Sequence, residues 1–250
     1  MKVVLVYRSG GVYDEVDVKA LAVQIHHYMG VVPYVLTDRV SDLVLIDMPC
    51  IPRPLTKKWH GWWSKMELFD PTLVGDILYM DLDTMLVEDC RLLLQPRTEF
   101  CILQDFYRPK GLQSSFMYIP SWIKPVMWNT FTKNPDGWMR EFAEGGDQSF
   151  IELQCRAYNV RRWQEMMPGA FVSYKATMNR GPVPPDARVV IFHGQPRPRD
   201  ILWKLDMHLK VTAGSVDTCG PLTTLSAQRS SSTPSTPMAS SPSSAAGASE

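Results

Sequence analysis

Net charge is the first thing this sequence lacks: 26 basic residues stand against 26 acidic ones in a chain of 250. A globally basic surface for nucleic acid is therefore not indicated, although a local basic patch stays open. Cysteine is scarce, with Cys50, Cys90, Cys101, Cys155 and Cys219 at irregular positions and no C-x-x-C pair among them. An odd, unpatterned set argues against a disulfide scaffold and implies reduced thiols in a cytoplasmic compartment. Long apolar runs are missing as well. The N-terminal run of residues 3–7 is broken by Arg8-Ser9-Gly10-Gly11, too early for a signal-peptide core. No uninterrupted apolar stretch approaches the roughly 18 residues that a membrane span requires. Only Gly10-Gly11 stands where a G-x-G-x-x-G fingerprint would be, so a dinucleotide cofactor is not inferred.

What is present suffices for one sizeable core, since 45% of the residues are hydrophobic and 10% aromatic. Val3 to Tyr7 reads as a central strand followed by a glycine turn. From Asp14 to Met29, Val18, Leu21, Ala22, Ile25 and Met29 share a helical face, and Asp14, Glu15 and Asp17 crowd the first turn, where carboxylates suit the helix dipole. Residues 33–38 read as a second strand. A strand, a helix and a strand in this order predict a parallel unit with a right-handed crossover, whose ligands bind beyond the carboxyl ends of the strands. Taken alone, Tyr7, Ser9, Gly10, Gly11 and Asp38 are explained by ordinary turn chemistry. A third strand is expected over Leu43 to Met48. In residues 59–69, Trp59, Trp62, Trp63, Met66 and Phe69 are expected to form one buried stripe with Lys65 at its edge.

Ile77 to Met80 is a short apolar run, expected to be a buried strand, that ends in Asp81-Leu82-Asp83. Side chains at i and i+2 of an extended chain point the same way, so the two carboxylates should project together where the strand leaves the core. Carboxylates are hard oxygen ligands suited to Mg²⁺ or Mn²⁺. A solvated turn is the plainer account of so short a motif. Further strands are expected over residues 100–104, 112–119 and 189–192. Short helices and loops are expected over 122–142, and a helix over 149–158 with Asp147 as an N-cap. From about residue 212 the composition turns to Ser, Thr, Pro and Ala, which cannot bury enough surface to offset the entropy of ordering. A globular domain over 1–211 and a disordered tail over 212–250 follow.

Asp81-Leu82-Asp83, then Ser114-Ser115-Phe116-Met117-Tyr118-Ile119, Gly145-Gly146-Asp147-Gln148-Ser149-Phe150 and Ile191-Phe192-His193-Gly194-Gln195-Pro196-Arg197-Pro198 together resemble, in order, the sequence blocks of GT-A-fold glycosyltransferases. The resemblance is nearest to family 8, the glycogenin and galactosyltransferase-like group, with its small bacterial and phage relatives, and it runs from Met1 to about residue 206. It implies an α/β, Rossmann-like GT-A fold with a mostly parallel central sheet flanked by helices. It implies a metal-dependent hexosyl transfer, with retained anomeric configuration, from a nucleotide sugar such as a UDP-sugar. By the resemblance, Asp81, Asp83 and His193 would bind Mn²⁺ or Mg²⁺, while Tyr7, Ser9, Gly10, Gly11 and Asp38 would contact base and ribose. Lys65, Gly194 and Arg197 would meet the diphosphate, and Ser114 or Ser115 a sugar hydroxyl. Asp147 would bind the donor sugar or act as base, with Gln148 near the anomeric centre. The chain departs from the family at Gln113-Ser114-Ser115, where an asparagine and a glycine are usual, and at Arg197, where a lysine is usual. The acceptor stays open between a glycan and a modified nucleobase such as hydroxymethylated DNA. A nucleotidyltransferase and a non-catalytic nucleotide- or sugar-binding module are the alternatives.

Overall fold

The computed structural model describes residues 1–45 and 47–201; the tail expected over 212–250 lies outside them. Chain order runs β1 (Lys2–Tyr7), α1 (Glu15–Met29), β2 (Tyr34–Thr37), α2 (Val40–Leu45), β3 (Ile51–Pro54), a 3₁₀ helix (Gly61–Phe69), β4 (Ile77–Met80) and β5 (Thr84–Leu86). A short 3₁₀ turn (Arg91–Leu94) leads to β6 (Phe100–Gln104), β7 (Leu112–Ile119), α3 (Lys124–Thr132), α4 (Pro135–Glu141) and α5 (Gly146–Cys155). The last elements are β8 (Val160–Arg162), α6 (Trp163–Met166), β9 (Phe171–Ser173), β10 (Val189–Ile191) and α7 (Pro198–Ile201).

Seven strands form the main sheet in the order β3-β2-β1-β4-β7-β6-β8. β1 runs parallel to β2 and β4, β2 to β3, and β6 to β8, whereas β7 is antiparallel to both its neighbours. The smaller sheet β5-β10-β9 stands beyond the carboxyl end of β4. Alternation along the strands feeds two cores. Val3 and Leu5 of β1 and Leu78 and Met80 of β4 pack with Val18, Leu21 and Ile25 of α1 on one face. Val4, Ile77 and Tyr79 pack with Trp63, Met66, Phe69, Phe131 and Phe150 on the other. Helix α1 is fixed at its start by a capping box: Asp14 accepts from the Val16 and Asp17 backbone N–H groups, and Asp17 accepts from that of Asp14.

Three expectations need correction, the first at α5, which begins at Gly146 with Gly145 as its N-cap, so that Asp147 lies in its first turn and does not cap it. Among the described residues, 43–45 and 47–48 do not form the expected third strand: Val40–Leu45 is helical, and Ile51–Pro54 takes the strand's place beside β2. A short apolar run does not distinguish strand from helix by periodicity. β3 tolerates Pro52 and Pro54 because it is an edge strand, hydrogen-bonded on one side only. The tryptophan stripe also breaks: Trp63, Met66 and Phe69 are buried, but Trp62 is 55% exposed. The segment is a 3₁₀ helix with three residues per turn whose residues 63–69 are buried in every column, Lys65 and Leu68 included, while Trp62 stands at its exposed start.

Cys50, Cys90, Cys101 and Cys155 are free thiols. Among the described residues no helix is long and apolar enough to cross a membrane.

Candidate functional site

Because β1, β2 and β4 are parallel, the loops that follow them leave the sheet on the same side. The glycine turn, Asp38 and the Asp81–Asp83 turn therefore gather there, as ligand-binding loops do in open α/β sheets. A cleft of about 810 Å³ opens at this edge, within the range of small-molecule sites. Its walls come from the β1 loop, the start of the 3₁₀ helix, the end of β4, Ser114 of β7 and the start of α5.

At the centre of the cleft lies Lys65, 6% exposed. Its Nζ stands 3.0 Å from Asp81 Oδ1, 3.0 Å from Asp147 Oδ2 and 3.1 Å from Ser114 Oγ. Ser114 Oγ in turn donates to Asp147 Oδ2 at 2.9 Å, so both contacts to Asp147 fall on one oxygen. Burial pulls the ammonium towards the neutral form, but the charges of Asp147 and Asp81 outweigh it and raise the Lys65 pKa above the ordinary lysine value. Asp147 is also raised, by burial first, with Lys65 opposing and Asp81 adding to the rise. The two directions are compatible, because one ammonium serves two carboxylates: the lysine gains from both, and each acid has only a share of one cation.

Each member of the Asp-x-Asp pair also has a phenol beside it. The Tyr79 hydroxyl donates to Asp81 Oδ1. Asp83 accepts from the Gly194 backbone N–H at 2.6 Å, and the Tyr13 phenol stands beside it. Burial, and then the neighbouring charge of Asp81, lift Asp83 above the usual carboxylate range, to about 6. A second cation beside this pair would relieve that repulsion, so the donor chemistry fits a hard divalent ion.

His193 stands differently. Its Nδ1 is 2.6 Å from Gln113 Nε2 and its Nε2 is 3.0 Å from Ser173 Oγ, and its ring lies edge-on to Phe106 and Tyr107. Burial, then the charge of Lys175, hold the imidazole down to about 4, and it is neutral at pH 7. The structure thus brings the two aspartates together at the cleft and turns both nitrogens of His193 to other partners. Among the described residues no three His, Cys, Asp or Glu side chains stand together as a metal-ligand set.

The remaining expected residues divide in the same way. Tyr7, Ser9, Gly10, Gly11, Lys65, Asp147 and Gln148 line the cleft. Tyr7 donates to Glu15 at 2.8 Å, and Gln148 donates to Asp105 at 3.3 Å. Asp38 is not in the cleft wall; it accepts from Ser9 N and Ser9 Oγ at 2.9 and 2.8 Å and lies 3.6 Å from Arg8, so it braces the β1 loop. Of the two serines left open, Ser114 reaches the cleft, while Ser115 contributes its carbonyl to the Asp81 N–H at 2.8 Å. Gly194 reaches the site through its bond to Asp83. Arg197 does not line the cleft: its guanidinium lies 5.8 Å from the centre of the Tyr13 ring and 3.7 Å from Asp17.

Tyr13, Tyr79, Trp62 and Glu144 also line the cleft and were missed from sequence. Tyr79 could have been found, because it lies two residues before Asp81 on the same strand face. The others carry no local signal.

No protein-family model matches the chain, and no curated protein matches its sequence. Similarity appears in structure. The chain is similar to the glycosyltransferase GlyE of Streptococcus pneumoniae TIGR4, with 14% identity and a TM-score of 0.58 over 82% of this chain and 59% of that one. It thus spans less than two thirds of the GlyE chain. It is also similar to the galactosyltransferase LgtC, solved with donor and acceptor sugar analogues, with 10% identity and a TM-score of 0.53 over 79% of this chain and 89% of that one. At these identities the likeness is one of fold, and the fold is the α/β GT-A fold of glycosyltransferases, with its mostly parallel central sheet flanked by helices.

Proposed function

We propose that the chain is a metal-dependent glycosyltransferase that moves a sugar from a nucleoside-diphosphate sugar, with UDP as the expected nucleotide, to an acceptor hydroxyl. The observation that carries this reading is the Lys65 ammonium bridging Asp81 and Asp147 inside a GT-A cleft. It ties the end of β4, where the donor diphosphate is expected, to the start of α5, where the reacting carbon is expected. The comparisons do not favour the nucleotidyltransferase alternative.

In the proposed reaction the bond from the anomeric carbon to the diphosphate oxygen breaks, and its electron pair leaves with the diphosphate. An acceptor oxygen forms the new bond to that carbon. With retention its proton passes to the departing diphosphate; with inversion Asp147 would take it. Asp81 and Asp83 would hold Mn²⁺ or Mg²⁺, joined by His193 if its ring is released from Gln113 and Ser173. A bound ion supplies positive charge for the departing diphosphate. Lys65 keeps the Asp81 and Asp147 carboxylates fixed, and Asp147 Oδ1, which takes no bond from Lys65 or Ser114, is free to accept from a donor-sugar hydroxyl. The Tyr7–Tyr13 loop would border the nucleoside. Orientation of donor and acceptor in one cleft can remove about 7 kcal/mol or more from the barrier.

The test is release of nucleoside diphosphate from a panel of nucleotide sugars, with and without Mn²⁺, by the wild type and by an Asp81→Ala/Asp83→Ala variant. Metal-dependent release from one donor, lowered by about 100-fold or more in the variant, is the expected result. Neither binding nor release with any donor would overturn the reading.

A further inference from the structure

Trp62 is a large side chain of the cleft that the foregoing chemistry leaves without a task. Its exposure alone says little, since Trp122 is also 47% exposed. But Trp122 is committed elsewhere: its indole donates to Thr98 O at 2.9 Å and its ring meets Tyr158 at 5.8 Å. Trp59, one turn before Trp62, packs on Trp128 and Phe131 at 5.5 and 4.9 Å. Among the described residues the Trp62 indole N–H meets no acceptor and its ring no aromatic neighbour. Its position is nevertheless fixed. A Cβ on Gly146, which has φ +59°, would come within 2.5 Å of Trp62 Nε1, so the indole lies close against the backbone immediately before Asp147. The 3₁₀ spacing sets Trp62 in the same column as Lys65. A broad aromatic surface thus stands at the mouth of the cleft, adjoining both partners of the central ion pair.

The geometry points to Trp62 as the stacking platform for a neutral pyranose ring of the acceptor, an assignment that rests on the glycosyltransferase reading above. The C–H groups on one face of a pyranose carry partial positive charge and suit the negative face of an indole. The unpartnered N–H offers a donor to a sugar hydroxyl. Glu144, exposed in the same wall and two residues before Gly146, offers a carboxylate that accepts from hydroxyls and repels phosphate. Beside Trp62 this carboxylate favours an uncharged saccharide, and the exposed Lys58 of the same cleft makes a phosphate-bearing acceptor the competing outcome of the test.

The test uses the full chain with Mn²⁺, and three ligands titrated separately: UDP, a panel of lactose, maltose and cellobiose, and a short thymidine oligonucleotide. Saturation-transfer NMR and line-shape titration give affinities for the wild type, Trp62→Ala and Trp62→Phe. At least one disaccharide should bind. Trp62→Ala should weaken it about tenfold or more, and by more than it weakens UDP, while Trp62→Phe keeps most of the affinity. Equal saccharide affinity in Trp62→Ala and wild type overturns the assignment. So does a failure of every disaccharide to bind, or oligonucleotide binding that depends on Trp62 while no disaccharide binds. In each case UDP binding by the wild type shows that the donor reading stands by itself, whereas saccharide binding without UDP binding would sink the donor reading and leave a sugar-binding cleft.

Discussion

The two ends of β4 each bury a lysine, and the lysines face opposite surroundings. Before the strand, Lys124 of α3 is 2% exposed and donates to the carbonyls of Leu73 and Gly75. After it, Lys65 is 6% exposed and meets the carboxylates of Asp81 and Asp147. Burial lowers the Lys124 pKa, with the charge of Lys2 adding to it. At Lys65 the two acids reverse the sign. Two backbone carbonyls, with the charges of Asp76 and Asp70 farther off, seat a cation that closes a loop. The other end sets Asp81 and Asp147 on a single ammonium with Asp83 two residues along, which leaves negative charge that an incoming cation can satisfy. Equal burial thus marks a structural lysine at one end and a candidate reaction centre at the other.

Removing Lys65 should break the molecule more severely than any other single change at either end. Lys65→Met leaves the buried Asp147 and the half-buried Asp81 without their shared cation, and breaking the buried Lys65–Asp147 pair costs about 3–5 kcal/mol. Urea unfolding should show a loss of that size, and diphosphate release should vanish even at temperatures where the variant is folded. A variant as stable as wild type would mean that the carboxylates do not depend on Lys65. Lys124→Met should cost less, about 2 kcal/mol, the range for hydrogen bonds to a charged group. Its turnover per folded molecule should equal that of wild type, and a selective loss of turnover would erase the distinction between the two ends.

Much of this contrast was readable before the fold was known, but not its decisive contact. The helical period located α1, short apolar runs located β1, β2, β4 and β7, of which β4 and β7 are buried on both faces, and the acids of Asp14 to Asp17 marked the start of α1. Asp81 and Asp83 were visible because they directly follow an apolar run, but the extended spacing expected of them is in fact a turn beyond β4, closed by the Thr84 N–H donating to the Asp81 carbonyl at 3.0 Å. The pairing of Lys65 with Asp147 was not visible, since it depends on how α5 and the 3₁₀ helix are brought to one side of the sheet. Residues 43–48 misled because a short apolar run suits helix and strand alike, and the true edge strand hides behind two prolines. Trp62 departs from the expected stripe because it lies at the exposed start of the 3₁₀ helix, ahead of residues 63–69, which are buried in every column. His193 was correctly placed after a buried strand, but the sequence holds no sign of the bonds to Gln113 and Ser173 that engage its ring.

The subtlest expected difference between the two lysines lies in alkaline solution, where their contributions to stability should run in opposite directions. Lys65 has a folded-state pKa above its ordinary 10.5, so the folded state holds this proton more tightly than the unfolded chain does. Its contribution is complete below 10.5 and is lost as the pH rises from there through the folded value. Lys124 has a folded-state pKa below 10.5. In the window between that lowered value and 10.5 the unfolded chain binds the proton that the folded protein has released, so stability from this group rises with pH. Urea unfolding from about pH 8 to about pH 12, repeated for wild type, Lys124→Met and Lys65→Met, isolates the two terms by difference. Wild type minus Lys124→Met should climb beneath 10.5, and wild type minus Lys65→Met should fall above it. Two difference curves of the same slope would show that the carboxylates do not set Lys65 apart, because burial alone drives both lysines the same way.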